Sequence, residues 1–428
     1  MIHSLNTQNI GPFPNMEITF GDRLNIITGD NGLGKSFLLD IIWWALTRKW
    51  PRDVNRRLTQ GYMARPNRKQ VGKIEFFLTT NAQTPVAYSS TFDYSGQAWT
   101  GRPGRPHNPG LVLYAMADGS FAVWDSARNY WKKKGNMDIQ DRPPAYVFSP
   151  AEVWDGLAVD SAQLCNGLIR DWASWQKEGQ EPYKALEELL SRLSPPGEPL
   201  APGDLTRISL DDVRDMPTVR MAYGEEPVPL VFASSAIRRV LALAYLLVWS
   251  IEEHKQASEL LNQPPANYVT FLIDEIEAHL HPQWQRSLVP SLLTAMSELM
   301  KTSVVQIIMT THSPLVLSSL ENVFDSSGSK DAWFDINLVN GAAEITHRPF
   351  EKQGSTANWL TSAAFDLPSD YSLPKEKLWQ KLDAAAHNEN LSESEAHELE
   401  QEMHEILPDI DPLWIRWRKF MRSKGWEA

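Results

Sequence analysis

Residues 29–36 read Gly29-Asp30-Asn31-Gly32-Leu33-Gly34-Lys35-Ser36, a complete G-x-x-x-x-G-K-[ST] run. These types at this spacing suit a polyphosphate. Glycines let backbone N–H groups curl around phosphate oxygens with no Cβ in the way. The lysine reaches the β- and γ-phosphates, and the serine hydroxyl ligates Mg²⁺. An apolar strand over Leu24 to Thr28 enters the loop. An amphipathic helix leaves it, with Phe37, Leu38, Ile41, Ile42 and Leu46 at helical spacing. A helix beginning there points its positive end at the anion. A second group is Val269-Thr270-Phe271-Leu272-Ile273-Asp274-Glu275, a buried strand ending in two carboxylates. Asp274 is expected to hold Mg²⁺, largely through water, and Glu275 to polarise the water that attacks ATP. A third is Ile307-Ile308-Met309-Thr310-Thr311-His312-Ser313-Pro314, another apolar strand with a polar end. His312 is expected to contact the γ-phosphate or orient the water. Lys35, Glu275 and His312 are thus the catalytic candidates, and Ser36 and Asp274 the metal-holding ones.

In this order the three groups resemble the ABC-type ATPase heads of the RecF, SMC and OLD (overcoming lysogenisation defect) families. Ile10-Gly11-Pro12-Phe13 before the glycine loop is similar to their N-terminal lobe. Ile273-Asp274-Glu275-Ile276-Glu277-Ala278-His279-Leu280-His281-Pro282 is similar to the OLD-type D-E-x-E-x-x-L-H-P run. Val147-Phe148-Ser149-Pro150-Ala151-Glu152 resembles the F-S-P-E stretch of RecF. The likeness covers roughly residues 1–50, 145–160 and 230–320. It implies a nucleotide held by Asn31, Gly32, Leu33, Gly34, Lys35, Ser36 and Phe37, with Ser234 and Ser235 of a second copy completing the site. Those serines lie in Ala233-Ser234-Ser235-Ala236-Ile237-Arg238-Arg239, the counterpart of a signature motif, with Ala236 where the family pattern has glycine. Ser234 is also a preferred helix N-cap type, and the two roles are compatible. The D-loop counterpart is Ala278-His279-Leu280-His281. Its histidines are not expected to form a separate metal site, because Asp274 and Glu275 are committed to Mg²⁺. The Q-loop position falls on Gln140 or on Tyr146.

The elements that must hold these groups follow from pattern. Strands are predicted over roughly 2–10, 15–20 and 23–28. Further strands over 73–80, 85–92, 110–116 and 120–124 read as an antiparallel sheet added to the nucleotide site, with an Asp118-Gly119 turn between the last two. Residues 158–194 read as helical, and 194–203, rich in Pro and Gly, as a linker. Strands near 217–223 and 228–233 precede a helix from about 235 to 261. A buried strand at 268–273, a helix at 283–300 and a buried strand at 304–310 come next. Asn340-Gly341 marks a hairpin, and from about 355 the chain reads as three or four polar helices. The fold class expected is α/β: a P-loop ABC-type ATPase head with an added antiparallel sheet, a helical insertion and a C-terminal helical region. Its parts are an N-terminal ATPase lobe at 1–150, the insertion and linker at 151–204, a C-terminal lobe at 205–350 and helices at 351–428.

Composition narrows the function. A net charge of −12 argues against nucleic-acid binding over the whole surface. A local basic segment remains: Arg48, Lys49, Arg52, Arg56, Arg57, Arg65, Arg68, Lys69 and Lys73 share it with a single acid, Asp53. It reads either as a solvated face or as a surface for DNA, RNA or an acidic partner. The single cysteine, Cys165, excludes an internal disulfide and any cysteine-cluster metal site. No stretch approaches the roughly 18–20 apolar residues of a membrane span, and the N-terminus lacks a signal-peptide pattern, so a cytoplasmic protein is expected. Coiled-coil heptads, the L-S-G-G-Q of transporters and a Toprim constellation are absent from the sequence. Asp409-Ile410-Asp411, bracketed by Pro408 and Pro412, reads as a turn and helix cap. An ATPase of this kind without its own nuclease resembles the ATPase subunits of two-gene antiphage systems of the Septu, PARIS or retron-associated type. That resemblance implies a homodimer closed by ATP that controls a partner effector. The alternatives are a RecF-like DNA-binding repair ATPase and an ATP-locked scaffold with little turnover. The C-terminal helices, ending in Trp414-Ile415-Arg416-Trp417-Arg418-Lys419, read equally as a docking surface and as a cap on the head.

Overall fold

Strands buried on both faces read as unbroken apolar runs, and the runs that end in the candidate residues lie side by side. The computed structural model describes residues 1–426 except 68–69, 102–106, 131–142, 160, 223, 326 and 389. Gln140, Arg68 and Lys69 therefore lie outside the described residues. The chain divides into two compact units, Met1–Thr356 and Ala357–Ala428.

The first unit holds an eight-stranded sheet. Its order is Ala342–Arg348, Asp331–Val339, Leu24–Gly29, Val304–Thr310, Tyr268–Ile273, Leu111–Ala115, Phe121–Trp124, Tyr146–Phe148. Neighbours from Asp331–Val339 through Leu111–Ala115 are parallel, and the outer strands pair antiparallel. Ile27 lies opposite Thr310, and Met309 opposite Ile273. This register opens the glycine loop, the two acids and the His312 turn on one edge, outside the carboxyl ends of the strands, where open α/β sheets bind ligands.

A five-stranded antiparallel sheet, in the order Phe13–Thr19, Ile2–Ile10, Lys73–Thr79, Pro85–Asp93, Ala98–Trp99, makes a second layer. One core joins it to the parallel sheet through the Lys35–Thr47 helix. Leu5, Ile18 and Phe76 come from the antiparallel sheet, Ile27, Val112 and Leu272 from the parallel one, and Leu38, Ile41 and Trp43 from the helix. The helix is consequently not amphipathic, as its spacing suggested. Every residue from Leu38 to Thr47 is buried, because the second sheet covers the face that would otherwise meet water. Trp44 stacks on Trp50 on that side, with ring centroids 5.4 Å apart.

Two further expectations are corrected. The 73–124 block is not one antiparallel sheet. Its first two strands extend the N-terminal sheet, whereas Leu111–Ala115, buried at every position, runs parallel to Tyr268–Ile273. Residues 158–194 are not helical throughout. A hairpin of Leu157–Val159 and Ala162–Cys165 precedes two helices, Leu168–Glu178 and Glu181–Leu193, parted where Gly179 takes φ 61° and Pro182 sits in the first turn of the next helix. In the second unit, helices Leu373–His387, Glu393–Ile406 and Pro412–Lys424 close on Leu378, Ala396, Met403, Trp414 and Trp417. Asp411 caps the last of them by accepting the Leu413 N–H at 3.0 Å, so the Asp-Ile-Asp letters form a turn and cap.

Candidate nucleotide site

The glycine loop joins the Leu24–Gly29 strand to the Lys35–Thr47 helix. Gly34 takes φ 96°, and a Cβ there would meet Pro12 at 2.7 Å. The Gly11-Pro12-Phe13 turn thus packs against the loop, and Phe37 lies across Gly11 from the other side. Asn31 and Gly32 are exposed, while Leu33 and Phe37 pack on the core. The Lys35 ammonium donates to the carbonyls of Gly29 at 2.7 Å and Asp30 at 2.8 Å. Burial lowers its pKa, and the nearby Glu275 and Asp274 carboxylates oppose that.

Asp274 is fully buried. Its Oδ1 accepts the Thr310 hydroxyl at 2.7 Å, and the same hydroxyl oxygen accepts the Glu275 N–H at 2.9 Å. Thr310 therefore sets both acids at once from the neighbouring strand. Burial raises the Asp274 pKa, and the hydroxyls of Ser36 and Thr310 counter it. Asp274 Oδ2 is buried with no full hydrogen bond among the described residues. A carboxylate oxygen left without a donor, facing a serine hydroxyl at the start of the phosphate-loop helix, fits a hard divalent cation. Ser36 and Asp274 are the two groups that would hold Mg²⁺, which supplies positive charge against the terminal phosphates when bound. Glu275 takes φ 47°, a left-handed backbone that costs energy for a residue with a side chain. Its Oε1 lies 3.7 Å from His312 Nε2. Burial, and then Lys35, lower the His312 pKa.

Three residues given no role from the sequence complete the cluster. Glu277 accepts the His312 backbone N–H through Oε1, joining the acid segment to the histidine turn. Arg239 donates to the carbonyls of Ala117 at 2.7 Å, Asp274 at 3.2 Å and Glu275 at 3.1 Å. Thr310 is the third. The available signals were a third acid after Asp274-Glu275 and a polar residue closing an apolar strand. Nothing local pointed to Arg239. Ser234 caps the Ser235–Leu260 helix, accepting the Ile237 N–H at 3.4 Å. No hydrogen bond or ion pair among the described residues joins Ser234 or Ser235 to the glycine loop. His281 caps the Pro282–Leu299 helix through Nδ1, and His279 is exposed. Tyr146 packs edge-on to Trp249 at 5.9 Å rather than on the loop.

Much of the basic segment is already engaged. Arg48 lies over the rings of Trp44 and Tyr88, at 3.7 and 4.7 Å, and burial lowers its pKa to about 10. Arg57 pairs with Glu152 at 2.5 Å, Arg52 covers Tyr62 at 4.3 Å and Lys73 pairs with Glu75 at 2.9 Å.

Residues 24–318 match the family model described as "AAA domain, putative AbiEii toxin, Type IV TA system". The chain belongs to this AAA family. Over 157 residues the AAA protein is 26% identical to the Retron Ec83 probable ATPase of Escherichia coli, covering 36% of this chain and 26% of that protein. Over 60 residues it is 42% identical to the Retron Vc95 probable ATPase of Vibrio cholerae serotype O1 biovar El Tor, covering 14% and 10%. The AAA chain thus spans about a quarter or less of the length of these relatives. Among solved structures it is similar to an SMC head bound to the C-winged helix domain of ScpA, with TM-score 0.44 and 14% identity over 81% of this chain and 98% of that one. It is also similar to RecF, with TM-score 0.39 and 12% identity over 81% and 98%. Among the described residues, no helix of the AAA protein is long and apolar enough to cross a membrane.

Proposed function

We propose that two copies of this AAA protein sandwich two Mg-ATP molecules, and that ATP binding and hydrolysis close and open the pair to control a partner effector, a nuclease or toxin, in cytoplasmic antiphage defence. The observation that carries the catalytic part is the Thr310 bridge. One hydroxyl fixes a buried carboxylate beside Ser36 and the backbone of Glu275, whose side chain faces His312. In this reading Lys35 leaves the Gly29 and Asp30 carbonyls for the β- and γ-phosphates. Asn31, Gly32, Leu33, Gly34 and Phe37 frame the phosphates, and Ser36 and Asp274 hold Mg²⁺. Glu275 polarises the water with His312 beside it. Ser234 and Ser235 of the second copy cap the γ-phosphate. The defence role rests on the likeness to retron-associated ATPases. A DNA-repair role draws less support, because Arg48 is folded inward and Arg57 is paired with Glu152.

Glu275→Gln is the test. Loss of the carboxylate is expected to slow turnover about 100-fold or more while ATP binding persists. Normal turnover by the variant would sink the mechanism. Tagged Glu275→Gln protein, purified with ATP from cells carrying the neighbouring genes, is expected to retain a stoichiometric effector. Recovery alone, or with DNA only, would sink the effector reading and favour the repair ATPase.

A further inference from the structure

A cavity of about 200 Å³ opens beside the candidate site, and none of residues 29–37 lines it. It is walled by the turn from Met116 to Phe121, by Pro150 and Trp154, by the first turns of the Ser235–Leu260 helix, by the segment from Ile273 to Leu280 that carries the acids, and by Leu288. Its interior is mainly apolar, with Phe121, Val240, Leu243, Leu246, Ile276 and Leu280 among the lining. An apolar cavity of about 150 Å³ is enough to hold benzene. Asp118 in the wall is held by hydrogen bonds: its carboxylate accepts from Thr59 Oγ1 and Gln60 Nε2, each at 2.9 Å, and from the Ser120 N–H at 2.9 Å. Arg238 is exposed in the wall with its guanidinium 4.8 Å over the Trp154 ring, and it makes no ion pair among the described residues. The Ser120 hydroxyl, also in the wall, is buried without a hydrogen-bond partner.

From the apolar lining and the stacked and unpaired Arg238, we propose that this cavity is a regulatory site for a small aromatic carboxylate. The ring lies among the leucines and isoleucines, and the carboxylate meets Arg238. Guanidinium groups bind carboxylates through two parallel N–H bonds and stack on aromatic faces at the same time.

The same wall gives the site its leverage. Arg239 lines the cavity and donates to the carbonyls of both Asp274 and Glu275. His279, also in the wall, and Glu275 both take positive φ, 65° and 47°. A ligand wedged between the helix start and this segment holds the strained backbone in place. It thereby resists the rearrangement that closing two heads demands, and turnover slows. This rate effect rests on the function proposed above; the binding does not.

The probes are 2-naphthoate and its uncharged amide, titrated calorimetrically into the full chain without nucleotide. Saturable 2-naphthoate binding is expected, weakened about tenfold or more by Arg238→Gln, the scale of one charge-assisted hydrogen bond. Amide binding is expected to be weaker and unchanged by that substitution. Ala242→Phe fills the cavity and is expected to abolish binding. Ala242→Leu, a smaller intrusion, is expected to weaken it and guards against a folding failure of the first. No saturable binding to wild type overturns the site, as does binding that both Ala242 variants leave intact. Indifference to Arg238→Gln overturns the carboxylate class. In ATPase assays 2-naphthoate is expected to lower kcat for wild type and not for Ala242→Phe. Binding with no change in rate overturns the regulatory part. A protein that binds 2-naphthoate but never hydrolyses ATP would fail the function reading and leave the cavity reading standing.

Discussion

Asp40 shows how the site's electrostatics reach into the core. It lies on the phosphate-loop helix, buried, with Tyr114 donating to its Oδ1 at 3.1 Å. Burial pushes its pKa well above the ordinary carboxylate value, and the negative charges of Asp274 and Asp118 push it the same way. A carboxyl whose folded pKa is raised stabilises the fold only below its unfolded pKa, and that stability is lost as pH climbs toward the folded value. Asp40→Asn keeps the shape and removes the titration. Its melting temperature is expected to match wild type near pH 4 and to exceed it increasingly as pH rises. A thermal-unfolding series across pH checks this, and a difference that stays flat or reverses would show that Asp40 is ionised in the fold. Cys165 is the contrasting buried group: its thiol, pushed up to about 12 by burial, has no part in the site.

Between elements, the decisive link is Thr310, because it ties the ends of two neighbouring strands through one hydroxyl. Thr310→Val conserves shape but strands the Glu275 N–H and removes a donor from Asp274. An unmet buried polar group costs about 1–3 kcal/mol, so the variant is expected to melt lower and hydrolyse ATP more slowly. Thr310→Ser keeps the hydroxyl and is expected to recover most of the turnover. Equal rates for the two variants would show that the hydroxyl does not position the acids. This link also marks where the sequence stops being informative. The glycine loop, the apolar strands ending in Asp274-Glu275 and His312, and the long helix after Ser234 are local patterns, and each was legible. Thr310 looked like one more strand residue, since its role depends on which strand lies alongside. Arg239 acts on carbonyls 35 and 36 positions away, and no periodicity encodes that. The Lys35–Thr47 helix was misjudged for the same reason. Phe37, Leu38, Ile41 and Ile42 fit one apolar face, whereas Trp44 packs on Phe76 and Trp99 of a second sheet that local spacing does not announce. Leu111–Ala115 was assigned to the wrong sheet because alternation does not distinguish an antiparallel edge from a parallel interior when every position is apolar.

For the whole molecule, the sandwich reading makes a prediction that no single-copy site can meet. Lys35 and Ser234 lie in one chain, yet no hydrogen bond or ion pair among the described residues joins them, and Ser234 is exposed at a helix start. If each site takes Lys35 from one copy and Ser234 from the other, a Lys35→Ala copy paired with a Ser234→Arg copy holds two unlike sites. One lacks both groups. The other has the intact Lys35 of the second copy facing the intact Ser234 of the first. Each variant alone is expected to be inactive, since every site in its homodimer has lost one side. Co-expressed under two different tags and purified through both, the mixed pair is expected to regain part of the wild-type ATPase rate. A heterologous arrangement of the same two surfaces would also complement, but it would grow beyond a dimer, which light scattering on the ATP-bound Glu275→Gln protein distinguishes from a closed pair. If the doubly tagged pair is as inactive as its parents, the γ-phosphate is not shared between copies. Ser234 then keeps only the capping role, with Ile237, that it has within its own helix.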